Sequence, residues 1–274
     1  MKKNNATARG ILKAVSLFFL FMLLGIILVL IISDLLYLHS SEISLSGIWD
    51  IVSSRKVTDA FFLSIVTSLC SLCLVVLFAV SAGYALSRFN FPGDTILNTF
   101  IDIPLILPPV VLGVSLLAFF GTPIGIEIKK VMNSFNISLI SGVGIVMGQF
   151  LVSVSYCVRA VKASFDSIDQ EYEEIALTLG ATPLQVFRKI TLPLAANGVF
   201  AGAVMAWARA IGVFGPLMVF VGTGPKVQVM PTQMWLELSI GNIETSLTIA
   251  IMMIIIACSA LAVVHKLTPG REWT

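Results

Sequence analysis

The sequence predicts an all-α integral membrane protein with about six transmembrane helices. Three observations carry that prediction. Hydrophobic residues make up 57% of the 274 residues and charged residues only 12%, about half the charged share of a soluble domain. Six long windows run almost without charge. They are apolar throughout, whereas the strands of a membrane barrel alternate in segments of about ten residues, so helices are the spanning form. The length suits one compact membrane domain without a separate soluble one. A formal net charge of +2 points to no nucleic-acid or acidic partner.

The windows are Val15–Ile32, Ala60–Leu86, Thr95–Gly121, Val131–Val158, Leu194–Gly222 and Thr245–Val264. A span needs about 20 apolar residues at about 1.5 Å each, so each window can cross a bilayer. The first is long and no small-residue cleavage site follows it, so it reads as a retained anchor rather than an export signal. The third contains Asp102 and the fifth Arg209. The fourth starts late, because Asn133, Asn136 and Ser138 interrupt its beginning. With the N-terminus cytoplasmic, 11 of the 17 Lys/Arg residues fall in inside loops, 5 in outside loops and Arg209 within a span. That asymmetry places both termini inside, in a cell membrane.

Three regions result. Residues 1–58 hold a cytoplasmic tail, the first transmembrane helix and a polar outside loop, about Ser40–Thr58. Residues 59–266 form the core, with a cytoplasmic loop over 159–193. Residues 267–274 are a cytoplasmic tail. Arg88–Asp94 is a turn signal. Met230–Leu238 reads as a short interfacial helix with Trp235 at the membrane surface. Cys70, Cys73, Cys157 and Cys258 all fall in apolar windows and read as small buried thiols. The Cys70-x-x-Cys73 pair has no His or acid beside it, so no metal site and no disulfide is expected. Small residues at helical spacing, at Gly144/Gly148, Gly198/Gly202 and Ala206/Ala210, permit close packing within the chain or between two copies.

The inside loop is the most informative segment. Gln170–Leu179 predicts a short helix with acids in its first turn, at the positive end of the helix dipole. Gly180 stops it. Pro183 opens a second amphipathic turn, with Val186, Phe187 and Ile190 on one face and Arg188 and Lys189 near the membrane. Pro193 marks re-entry into the bilayer. The loop is therefore a structured knob.

Further on, Pro104, Pro108 and Pro109 each lack an N–H, which frees carbonyls about four residues earlier. Broken backbone at membrane depth is tolerated where it packs in protein or lines a wet cavity. On a straight helix Pro108 lies about 20 Å from Thr95, and Arg209 about 22 Å from Leu194, so they sit at similar depth. The prolines are read either as a kink or as part of a pathway. Arg209 is read either as pathway-lining or as a tether to backbone carbonyls or Asp102.

Glu174-x-Ala176-x-x-x-Gly180, nine residues, then Ile190-x-Leu192-Pro193 resembles the "EAA" signature of binding-protein-dependent ABC importer permeases, with Ile175 where the first Ala of the triplet usually stands. The resemblance implies a type I ABC importer permease fold. It also implies that Glu173, Glu174, Ile175, Ala176, Leu179, Gly180, Ala181, Ile190, Leu192 and Pro193 couple the chain to an ATPase. Phe91-Pro-Gly, the run Pro104–Gly113 and the run Ala208–Gly215 are similar to the molybdate, tungstate and sulfate permeases, with Val213 where many members carry an acid. That similarity implies a translocation pathway through Asp102, Pro104, Pro108, Pro109, Arg209, Gly212, Phe214 and Gly215, and a tetrahedral oxyanion as cargo. The alternative cargo is another small solute: a metal ion, a polyamine or an organic anion.

No G-x-x-x-x-G-K-[ST] occurs, so the chain has no phosphate-cradling loop of its own. No cofactor is expected in this chain; ATP and Mg belong to the partner. The expected partners are two ABC ATPase subunits, a second permease subunit (identical or homologous), an extracytoplasmic solute-binding protein and the lipid bilayer. No catalytic residue is assigned. An intramembrane enzyme fits poorly, because His39 and His265 lie at opposite membrane faces on this topology. A channel or secondary transporter would leave the knob without a purpose.

Overall fold

A computed structural model describes residues 2–40, 45–89, 92–134, 142–222, 224 and 227–267. Those residues contain no strand. The helices are α1 (Lys2–Ser40), α2 (Leu45–Ser53), α3 (Arg55–Arg88), α4 (Asp94–Ile106), α5 (Pro109–Gly121), α6 (Pro123–Ser134), α7 (Gly142–Asp166), α8 (Glu171–Thr178), α9 (Pro183–Val186), α10 (Leu192–Ile211), α11 (Gly215–Phe220), α12 (Met230–Ser239) and α13 (Ile243–Leu267), with a π-helical turn at Phe187–Thr191.

Among the described residues, five helical stretches are long and apolar enough to cross a membrane: Leu12–Leu38, Arg55–Arg88, Gly142–Asp166, Pro183–Ile211 and Ile243–Val263. The pair α4 and α5, bent by 110° at Leu107–Pro108, makes a sixth if counted as one span. The break expected from the prolines within Thr95–Gly121 is thus a sharp corner. Its cause is the Pro108-Pro109 pair. Pro108 is held extended at φ −54°, ψ 131°, as a residue before proline prefers, and Pro109 starts the next helix. Pro104, by contrast, stays inside α4.

The core is built around α7, which packs against α3 and α10 and also touches α4, α5 and α11. Two close approaches show that α3 and α7 run parallel: Gly142 faces Thr67 and Gly83 faces Val161. On α10, Gly198 and Gly202 face Ser164 and Ala160 of α7, which makes that pair antiparallel. The small residues therefore serve packing within the chain, and they let backbones approach where lipid supplies no hydrophobic drive. The same interfaces bury Ser64, Ser68, Ser71, Gln149 and Ser153. Ser68 Oγ accepts the indole N–H of Trp207 at 3.0 Å, tying α3 to α10.

Other expectations change. The segment read as a polar loop over Ser40–Thr58 contains α2, because Ile48, Ile51 and Val52 recur at helical spacing. The segment read as a loop over 159–193 is shorter. Helix α7 runs on to Asp166, and helical structure is continuous from Pro183 to Ile211. Pro193 does not break it: at the π turn the Leu192 N–H reaches back to the Phe187 carbonyl, a wider turn that absorbs one residue before the proline. Cys157 is buried as expected, but Cys70, Cys73 and Cys258 are exposed on the outer faces of their helices. Helix α12 is present, with Met230, Pro231, Thr232, Gln233 and Glu237 buried against the bundle and Trp235 exposed. The Met230 N–H donates to Ser64 Oγ at 2.7 Å. The tail expected over 267–274 lies outside the described residues beyond Leu267, as do Phe91, Asn136 and Ser138.

Candidate functional site: a surface knob and a pair of broken helices

Helix α8 is the knob. Asp169 Oδ1 accepts the Glu171 N–H at 3.1 Å, satisfying one orphan donor of the first turn. At the other end Gly180 has φ 88°. Its N–H reaches the Leu177 carbonyl at 3.0 Å, and the Ala181 N–H reaches the Ala176 carbonyl at 3.1 Å. That pair of bonds is a Schellman stop, which glycine adopts without the Cβ penalty. Thr182 and Gln185 then form a reciprocal capping box that starts α9.

The knob has two faces. Glu173 and Ala176 are buried, whereas Tyr172, Ile175, Leu177 and Leu179 stand exposed, Leu179 at 83%. Leu184 extends the outward apolar surface. Glu174 is exposed, and its carbonyl accepts the Thr178 hydroxyl at 2.6 Å. Ile190 and Leu192 are half-buried and Pro193 is exposed where the π turn enters α10. Sequence reasoning missed what the buried face grips. Arg88, the last residue of α3, donates from Nε to Glu173 Oε1 at 2.8 Å and from its fork to the Ile168 carbonyl at 3.2 Å. The two partners lie 85 residues apart, beyond the reach of any spacing argument.

The second arrangement lies where α4–α5 and α10–α11 break. Helix α10 ends at Ile211, Gly212 and Phe214 occupy the gap, and Gly215 begins α11. The two short helices touch. A Cβ on Gly215 would sit 2.7 Å from Val110 Cγ2, and one on Gly113 would sit 2.7 Å from Pro216 Cα. The first turns of α5 and α11 are therefore brought together, with Gly215 against the residue that follows Pro109. Phe214 also lies against Trp235 of α12, ring centroids 5.9 Å apart. Val213 is 4% exposed in a cluster with Leu112, Ile145, Val152 and Leu217. An ionised acid there would be desolvated.

Arg209 sits in the last turn of α10, three residues before Gly212, and is exposed on this chain. Its guanidinium lies 5.6 Å from the centroid of the Tyr156 ring, a cation–π arrangement. Tyr156 is about 21 Å along α7 from Gly142 and about 15 Å from its end at Asp166, so the pair sits deep in that span. Asp102 does not meet Arg209. It is held by both arms of Arg159, whose fork also reaches the Asn98 carbonyl at 3.3 Å. Arg159, expected in the loop, instead stands on α7 and pins α4 to it. A cavity of about 790 Å³ opens elsewhere, between the start of α3 and α12, lined by Arg55, Asp59, Leu63, Gln233 and Glu237. Among the described residues no His, Cys, Asp or Glu cluster is fit to hold a metal ion.

Residues 75–272 match the sequence profile of the binding-protein-dependent transport system inner membrane component. The chain belongs to that family. It is a multi-pass permease subunit, and such subunits are not themselves enzymes. The permease is 31% identical over 223 residues to the molybdenum transport system permease protein ModB of Mycobacterium tuberculosis, covering 81% of this chain and 83% of that one. It is 30% identical over 188 residues to the sulfate transport system permease protein CysT of Salmonella typhimurium, covering 68% and 67%. In fold it matches a bacterial alginate ABC transporter solved with an alginate-bound periplasmic protein. The TM-score there is 0.69 at 16% identity, covering 92% of the permease and 95% of that chain.

Proposed function

We propose that this permease forms half of the membrane pathway of an ATP-driven importer for a tetrahedral oxyanion such as molybdate, tungstate or sulfate. The observation that carries the cargo is Arg209, a cation in the last turn of α10, held level with the middle of α7 by Tyr156 and just ahead of the break that meets α5. A lone Arg at the bilayer centre costs about 2.5–3.5 kcal/mol on insertion scales, so it belongs beside protein or water. Facing a wet path, it attracts an anion and, as a single charge, also lets it go. Relatives that carry molybdenum and sulfate support the same class. Two ATPases bearing Mg and ATP would dock on the apolar face of α8, a second permease would complete the path, and an extracytoplasmic binding protein would deliver the cargo. Both termini and the knob would face the cytoplasm.

The test replaces Arg209 with Gln, which keeps hydrogen-bonding ability and removes the charge. The variant is expected to assemble and melt as the parent does while oxyanion uptake into proteoliposomes falls sharply. Full uptake would reject the pathway role. Loss of assembly together with uptake would make Arg209 a tether. Independently, the cognate binding protein should be purified holding an oxyanion; a cation or polyamine in its place would overturn the cargo.

A further inference from the structure

We infer that Arg88 is a positioning residue that locks the α8 knob to α3, so that the two move as one rigid body when the knob is displaced. The inference rests on the reading of α8 as the ATPase-docking element and adds where the displacement goes.

Three acids stand in the first turn of α8, namely Glu171, Glu173 and Glu174. The helix dipole accounts for acids there in general, and Glu171 and Glu174 are exposed as that account requires. Glu173 differs. Its side chain is 12% exposed and that of Arg88 is 6%. A buried ion pair is weak evidence of added stability, because desolvation offsets the attraction; it persists where geometry is good and other hydrogen bonds complete it. Here Arg88 also binds Ser87 Oγ at 3.1 Å and the Ile168 carbonyl, which supplies that completion. What such a pair adds is direction.

The same face of α3 reinforces it one turn earlier. The Tyr84 ring packs edge-on against Phe165 at 5.5 Å, Phe187 at 4.7 Å and Phe89 at 5.8 Å. Phe165 lies at the end of α7 and Phe187 opens the π turn. The end of α3 thus grips the strand of chain entering the knob, the knob itself and the chain leaving it. Helix α3 has 34 residues, about 50 Å of rod. Along it, Ser68 holds Trp207 of α10, two residues before Arg209, and Ser64 holds the first N–H of α12. A push on α8 is therefore delivered through α3 to the helix bearing Arg209 and to the helix packed on Phe214, rather than being lost in residues 167–170.

The experiment uses the complete transporter in nanodiscs, permease with its ATPase and loaded binding protein. Arg88→Met is expected to keep ATPase co-purification and basal hydrolysis, while stimulation by the loaded binding protein falls about tenfold, within the usual range of energetic coupling between sites. Arg88→Lys, which keeps the charge without the fork, should fall between the two. A merely structural loss would lower basal and stimulated rates together and would overturn the inference, as would full stimulation in Arg88→Met. Spin labels at Leu74 and Thr178, in a background without the native cysteines, give a second reading on the unsubstituted pair. Their distance should be the same with and without ATP; a distance that shifts between those states overturns the inference whatever the variants do. Failure of the ATPase to crosslink to Thr178→Cys would instead overturn the docking reading on which this rests.

Discussion

At residue 180 the backbone turns through φ 88°, and nothing lies within 4 Å of where a Cβ would be. The demand for glycine there is conformational, not a matter of space. A branched residue in the left-handed region costs about 1–2 kcal/mol, and the chain can avoid it by unwinding the stop after Leu177. Gly180→Val is thus expected to leave the bundle folded and inserted, with unfolding close to the parent's, while the direction of Leu179 and Leu184 is lost. ATPase stimulation in the assembled transporter should drop and basal hydrolysis remain. Normal transport by this variant would show that the Schellman stop does not aim the knob. The Arg159–Asp102 pair is a different kind of contact. Its side chains are 39% and 28% exposed, so its role is to fix where α4 lies against α7 more than to add stability.

Among the elements, the broken helices make tight demands on packing. A Cβ at Gly113 would meet Pro216 Cα at 2.7 Å and its carbonyl oxygen at 2.8 Å, backbone against backbone. At Gly148 the obstruction is only the Cδ2 end of Leu217, also at 2.7 Å, and a leucine can change rotamer. Overpacking costs about 1–3 kcal/mol. Gly113→Ala is expected in the upper part of that range and Gly148→Ala in the lower, read as thermal unfolding in detergent; equal losses would mean that α5 and α11 slide apart easily. The places where chain direction changes were legible: the prolines over 104–109 interrupt a helix, Gly180 ends one, and Pro183 opens another, because each is a local rule about one backbone. The angle of the corner at Pro108 was not, since local rules say that a helix stops and not where the next one points. Nor were the partners of Asp102 and Glu173. They sit 57 and 85 residues away in sequence, and charge counts had sent both Arg88 and Arg159 to loops. Proline at 193 misled in the other direction, because a π turn accommodates what an α-helix cannot.

At the scale of the whole molecule, the permease is a bundle with an outrigger. Helix α1 touches α13, and its most apolar stretch has no buried residue, so it lies against the bundle rather than within it. Cysteines introduced singly at Ser40 and Thr182, both exposed, should label from opposite sides of the membrane with an impermeant thiol reagent; labelling from one side would break the odd count of spans between them. Helix α7 has the opposite character. Within a single turn it carries Tyr156, which meets the arginine of one broken helix, and Arg159, which grips the aspartate of the other. Both broken helices are geared to one axle. Rotation of α7 would carry both attachments through the same angle, so the two breaks share one degree of freedom where two independent hinges would give two.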